Sequence, residues 1–138
     1  MEFQLSMTRY ATAFARPDAT YRAIDLAGRT GGEDASGLVA LLYAEASRAL
    51  RSAAWAAGQR RYDVKSERVT RAIAILFALE NGLDFDKGGE LSKTLSRLYQ
   101  GARSEIVDAS LGMDPAPFLA VAATLDEIAG AWEAARRA

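Results

Sequence analysis

Lysine, glycine and carboxylate residues crowd into one stretch, Leu83-Asp-Phe-Asp-Lys-Gly-Gly-Glu-Leu-Ser92. Two adjacent glycines beside a lysine at a helix start are the ingredients of a phosphate cradle. In such a cradle successive backbone N–H groups wrap the anion, and Lys-Ser or Lys-Thr enters the helix. The order of residues works against that chemistry. Lys87 precedes Gly88 and Gly89, Glu90 puts a carboxylate where the anion has to lie, and no strand comes before. A corner between two packed helices uses the same residues more fully. Asp84 or Asp86 can accept from the orphan N–H groups of a helix start, where negative charge also suits the dipole. Gly88 and Gly89 let the two helices turn back closely, and Phe85 plugs the end of the core.

Acid–base and metal chemistry have few other candidates. Glu45, Glu67, Glu80, Glu90 and Glu105 are spread over several segments, and a pair of them is one way to build a catalytic or metal site. Bundle metal sites combine such glutamates with Glu-x-x-His, however, and this chain has no His. It has no Cys either, so imidazole bases, thiolate nucleophiles and the usual zinc sites are excluded. Solvated faces and ion pairs account for the glutamates. Arg48, Arg51, Arg60, Arg61, Lys65, Arg68 and Arg71 gather about one expected corner, suiting a solvated basic face or, less commonly, an acidic partner. Tyr43 and Tyr99 lie beside apolar stripes, a position that fits boundary packing and partner contact equally. No cofactor is implied, and an enzyme is not expected.

Four amphipathic segments carry these residues. In the first, Val39, Leu42, Ala46, Ala49, Leu50, Ala53 and Ala57 recur at steps of three and four, one stripe of a helix. Asp34 or Ser36 can cap its start, and Gly58 stands where a left-handed stop is expected. The second is expected over 64–81, with Asp63 as N-cap, closure at Asn81-Gly82, and Val69, Ala72, Ile73, Leu76 and Leu79 inward. The third is expected over 88–111, ending at Gly112, with Leu91, Leu95, Leu98, Ala102, Ile106 and Ala109 inward. In the fourth, Asp114 suits the N-cap, Pro115 the first helical position, and Met113 and Phe118 a hydrophobic staple. Its inward set is Phe118, Ala122, Leu125, Ile128, Ala129 and Trp132. Short connections favour antiparallel neighbours. The expected fold is all-α, an antiparallel up-down four-helix bundle over residues 34–138.

Residues 1–33 read differently, as an N-terminal arm and link. Arg16-Pro17-Asp18 interrupts the helical period, and Gly28, Gly31, Gly32 and Gly37 loosen the connection. Phe3, Leu5, Tyr10, Phe14, Tyr21, Ile24 and Leu26 are too apolar to float free in water. One or two short helices, over 3–15 and 18–28, are expected to lie against the bundle.

At 138 residues the chain is long enough for one domain with a real core. Lys+Arg 17 against Asp+Glu 18 leaves a net charge of −1, with no global attraction for nucleic acid or anionic membrane. No apolar run approaches the ~20 residues of a membrane span. The start lacks a basic stretch followed by an apolar one, so no secretory signal is expected. The absence of a disulfide framework suits a reducing, cytoplasmic setting.

The corner Leu83-Asp-Phe-Asp-Lys-Gly-Gly-Glu-Leu-Ser92, followed by Leu98-Tyr99, resembles the central signature of the flagellin export chaperone family (FliS-like). Gly37-Leu-Val-Ala-Leu-Leu-Tyr43 is similar to the apolar segment ending in Leu-Tyr on that family's first long helix, and Trp132 matches its C-terminal tryptophan. The resemblance covers residues 34–135. It implies a cytoplasmic helical bundle that binds the disordered C-terminal segment of flagellin, prevents premature polymerisation and aids flagellar type III secretion, with an export-apparatus component as a possible further partner. Such recognition sets helices and extended chain into apolar grooves and needs no catalytic group. The partner-binding residues implied are Tyr21, Ile24, Leu42, Tyr43, Leu95 and Tyr99, with Asp84, Asp86, Gly88 and Gly89 building the corner. The chain departs from the family in having Ala44 and Glu45 where Asp usually follows Leu-Tyr. Its arm is also longer, with Tyr21 preferred over Tyr10 as the family's N-terminal tyrosine. The alternative reading is a helical scaffold or regulatory module that binds another amphipathic segment.

Overall fold

The computed structural model describes residues 20–21 and 35–137. The expected helix over 3–15, most of that over 18–28, Ile24 and the candidate cap Asp34 lie outside these residues; of the second helix, Thr20 is helical and Tyr21 is not. Four helices follow in order, α1 Ala35–Gly58, α2 Tyr62–Asn81, α3 Phe85–Ser110 and α4 Ala116–Arg137. Neighbours run in opposite directions. On α1 and α2, Glu45 meets Arg71 while Ser52 meets Arg68. On α2 and α3, Glu80 meets Ser96 while Lys65 meets Ser110. On α1 and α4, Ser36 meets Trp132 while Arg51 meets Asp126. Each helix pairs with two others, and α3 packs least closely on α4. No helix among the described residues is long and apolar enough to cross a membrane.

The core is one cluster fed by all four stripes. Alanines dominate the α1 side, with Ala46, Ala49, Ala53 and Ala57 all buried, so the backbones approach closely there. Trp132, Phe118, Leu125, Ile128, Leu76, Leu79, Leu95 and Ile106 fill the remaining volume. Leu42, Ile73, Leu91, Ala109 and Ala129 are inward as expected but only partly buried.

Helix ends depart from expectation in instructive ways. Gly58 stays within α1, and the left-handed residue of the following turn is Arg60, at φ 57°. The N–H groups of Arg60 and Arg61 reach back to the carbonyls of Ala57 and Ala56, so hydrogen bonding outweighs the side chain's cost. Ser36 lies inside α1 rather than capping it; its carbonyl accepts from Trp132 Nε1 at 2.9 Å and its Oγ from Arg136. Helix α2 begins before Asp63, with Arg61 at the cap and no side-chain cap bond. Gly82 and Leu111 close α2 and α3 in right-handed conformation, so neither Gly82 nor Gly112 acts as a left-handed stop. Asp114 does accept from the Ala116 N–H at 3.0 Å, the contact expected at the start of α4.

Lys65 is the largest departure. Instead of lying on a solvated face it is 7% exposed. Its ammonium donates to the carbonyls of Ser110 at 2.8 Å and Gly112 at 2.9 Å, and reaches Met113 Sδ at 3.4 Å. A cation thus satisfies carbonyls freed at the C-terminal end of α3, where the helix dipole favours positive charge.

Candidate partner-binding site

The corner between α2 and α3 is built by Asp84. Its carboxylate accepts from the Lys87 N–H at 2.9 Å, and its carbonyl from the Gly88 N–H at 2.8 Å. These two N–H groups are therefore not open to a phosphate. Asp86 sits in the first turn of α3, where its charge suits the dipole. Gly89 kinks the helix at φ 55° and ψ −129°, a conformation that favours glycine. A Cβ placed there meets nothing within 4 Å, so close helix approach is not its role, contrary to expectation. Phe85 is 47% exposed and does not plug the core; Leu83, two residues earlier, is buried and does.

Onto this corner a short piece of chain is docked, Thr20 helical and Tyr21 in a single bridge. Thr20 accepts from the Asp84 N–H at 2.9 Å, and Tyr21 forms an isolated antiparallel bridge with Leu83. Ser92 Oγ donates within the same knot, 2.8 Å from the Asp84 carbonyl and 3.4 Å from that of Thr20. The pairing delivers the Tyr21 ring into the bundle. There it meets Trp132 edge to face, with centroids 5.4 Å apart and an interplanar angle of 82°. That arrangement places a ring edge against a π face, as aromatic quadrupoles prefer.

Three tyrosine hydroxyls meet inside. Tyr99 Oη lies between those of Tyr21 and Tyr43, hydrogen bonded to both. Tyr43 and Tyr99 are fully buried rather than at the core boundary, and Tyr21 is 3% exposed. Burial, chiefly, pushes the phenols of Tyr21 and Tyr99 well above the ordinary value, so both stay neutral and serve as hydrogen-bonding groups. Among the described residues no buried side-chain nitrogen or oxygen lacks a hydrogen-bond partner.

Tyr21, Tyr43 and Tyr99 are thus brought together directly. Leu95 is buried on α3, one turn before Tyr99, and Leu42 is half-buried beside Tyr43. Sequence reading passed over Thr20 and Ser92, which fix the docked segment by backbone contacts that side-chain type does not advertise. It placed Lys65 in a solvated basic face, although the lysine carried a visible signal of burial: it stands four residues before Val69 and seven before Ala72, on the apolar stripe itself.

The scattered glutamates are held apart. Glu45 pairs with Arg48 and Arg71, Glu67 with Arg68, and Glu90 with Lys93. Glu80 joins α2 to α3 by accepting from Ser96, Gln100 and Arg103. Burial opposes its charge, but the bonds from Gln100, Ser96 and Arg103 outweigh it and hold the carboxyl below its usual range. The Arg103 guanidinium also lies 3.9 Å from the Phe77 ring centroid. No group of three or more acidic residues among those described is arranged to hold a metal.

Three known proteins align over most of the chain. The flagellar secretion chaperone FliS of Vibrio cholerae is 27% identical over 113 residues, 82% of this chain and 83% of the relative. The flagellar secretion chaperone FliSB of Pseudomonas aeruginosa is 26% identical, covering 82% of this chain and 90% of its own. FliS of Salmonella typhimurium, also a flagellar secretion chaperone, is 34% identical over 97 residues, 70% of this chain and 72% of the relative. The family profile described as Flagellar protein FliS matches residues 18–138, a span holding Tyr21, the Asp84–Gly89 corner and all four helices. The chain belongs to the FliS family of flagellar proteins.

Proposed function

We propose that this protein is a cytoplasmic, non-enzymatic export chaperone that binds the disordered C-terminal segment of flagellin, keeping it from polymerising before flagellar type III secretion. The kinship to flagellar secretion chaperones supports the role. One observation carries the binding mode. The bundle takes up a two-residue piece of chain, Thr20-Tyr21, by pairing backbone at Leu83–Asp84 and burying an aromatic ring against Trp132 and Tyr99. A disordered partner offers the same currency, unpaired backbone and apolar side chains that order on binding. On this reading Leu42, Leu95, Tyr43 and Tyr99 supply the walls such a segment meets once Tyr21 leaves, and Leu41, Phe77 and Val107 are exposed apolar side chains on α1, α2 and α3. Docking of Tyr21 and capture of flagellin are then alternative uses of one pocket.

Calorimetric titration of the full chain with a flagellin C-terminal peptide, at several temperatures and salt concentrations, tests this. Binding with a negative heat-capacity change and modest salt dependence is expected, because apolar burial drives it. Absence of binding, or its collapse at moderate salt, overturns the reading.

A further inference from the structure

Away from the tyrosine pocket, a cleft of about 310 Å³ opens on the outside of the α1–α2 pair. It is lined by Glu45, Arg48, Ala49, Ser52, Arg68 and Arg71, and shares no residue with the pocket around Tyr21. Three guanidinium groups are set in place around it. Arg68 is braced from the opposite helix, its Nε donating to Ser52 Oγ at 3.1 Å, while its Nη1 donates to Glu67 at 2.7 Å. Arg71 Nη2 donates to Glu45 Oε1 at 3.0 Å, and Arg48 Nη1 donates to the other oxygen of the same carboxylate. Glu45 is therefore a resident carboxylate gripped by arginines of both helices. The bond from Arg71, foremost, holds its carboxyl below the usual range.

The charge around the cleft is lopsided. Residues 45–71 carry seven basic side chains against three carboxylates, in a chain whose net charge is −1. Positive charge is thus a local band on an otherwise acidic molecule. One of the seven, Lys65, is engaged internally; the arginines of the cleft face solvent, Arg48 with 72% and Arg71 with 55% of the side chain exposed. Guanidinium forks suit carboxylates because two parallel N–H groups meet two oxygens.

We propose that this cleft is a second docking site, for an acidic peptide segment of a partner protein, one of whose carboxylates replaces Glu45 as acceptor for Arg48 and Arg71 while Arg68 binds a second. Three features favour a peptide over nucleic acid or a membrane surface. The donors already hold a carboxylate in place. The cleft has side-chain dimensions rather than those of a groove following a phosphate backbone. Glu67, Asp63 and Asp126 pair with neighbouring arginines and interrupt the band, so a continuous polyanion would meet carboxylates along it. The site stands apart from the flagellin reading, which concerns the apolar pocket.

The test is fluorescence anisotropy of the full chain with a labelled peptide containing six glutamates, and with the matched glutamine peptide, at about 50 mM salt, where screening is weak. The glutamate peptide is expected to bind at least tenfold better, and to lose most affinity in Arg68→Ala/Arg71→Ala but not in Arg51→Ala, whose partner is Asp126 outside the cleft. Glu45→Gln, which removes the competing acceptor, is expected to strengthen binding severalfold, an effect that a purely structural role for Glu45 would not give. Should the double variant misfold, amide shift changes in the native protein on peptide addition must centre on Ser52, Arg68 and Arg71. Equal binding of the two peptides, weaker binding by Glu45→Gln, or shifts centred elsewhere overturn the proposal. A single-stranded oligonucleotide or anionic vesicles binding as well as the peptide would also overturn it, in favour of general polyanion attraction.

Discussion

Replacing Tyr21 by alanine separates the two uses of the tyrosine pocket. The ring is 3% exposed, packed edge-on to Trp132 and hydrogen bonded to Tyr99. Truncating a buried aromatic side chain to alanine costs about 3–5 kcal/mol. Holding the backbones of Thr20 and Tyr21 in one conformation costs about 1–2 kcal/mol each. Taken at their midpoints, the difference leaves a docked segment favoured by on the order of 1 kcal/mol, a factor of about 5 in population. An incoming partner that needs the pocket has its apparent affinity reduced by that factor, since only the open fraction can bind. Tyr21→Ala is therefore expected to bind a flagellin C-terminal peptide roughly fivefold more tightly than the native chain, and deletion of residues 1–28 by a similar factor. Tyr21→Phe, which keeps the ring and loses only the hydroxyl, is expected to gain a few-fold at most. Calorimetry gives the affinities. Trp132 emission reports opening independently, because loss of the Tyr21 edge exposes the indole to water. A folded Tyr21→Ala protein with red-shifted emission that binds more weakly would show that Tyr21 belongs to the binding surface, and the reasoning would fail.

Three further predictions concern the frame around that pocket. Lys65→Met keeps the aliphatic stem but removes the charged hydrogen bonds to Ser110 and Gly112; it is expected to lower unfolding free energy by about 1.5–3 kcal/mol in urea titrations, and an unchanged midpoint would refute the role given to the ammonium. Gly89→Ala is expected to cost about 1–3 kcal/mol through its positive φ alone, with van der Waals room to spare, so a neutral substitution would show that the kink is not maintained. Glu80 titrates below the ordinary value of 4.5, so the stability it contributes is complete above that pH and disappears as the pH falls through the lower, folded value. Glu80→Gln should thus be less stable than the native chain at pH 7, with the gap closing as the pH falls below 4.5 and through the folded value; a gap independent of pH would assign the effect to packing instead.

Much of this was legible along the chain, and the misses share a physical cause. Helical periodicity depends on neighbours three and four residues away, so the four stripes, and the buried Trp132 and Phe118 among them, could be read directly. Asp84 as a cap is equally local, since its partner is the Lys87 N–H three residues on. Tyr43 and Tyr99 were ambiguous because a tyrosine at the edge of a stripe turns in or out according to whether its hydroxyl finds a partner. That partner lies 56 residues away, and a third lies 78 away in Tyr21. Gly58 and Arg60 show the opposite limit, for turn composition named the wrong left-handed residue when backbone hydrogen bonds chose another. Phe85 failed as a plug for a similar reason. The antiparallel bridge at Leu83 fixed which side chain of the corner faces inward.

The alanine seam of α1 also bears on how such a chain can diverge. Ala46, Ala49, Ala53 and Ala57 lie buried where neighbouring backbones come close, so a larger side chain at any of them must push whole helices apart. Each alanine itself buries little apolar area, and most of the hydrophobic free energy is concentrated in a few large residues such as Trp132, Tyr99, Phe118 and Leu50. Substitution along the seam is therefore confined to residues of nearly the same size. The outer faces carry no such constraint, so side chains there can be exchanged to suit new partners without moving the frame that presents them.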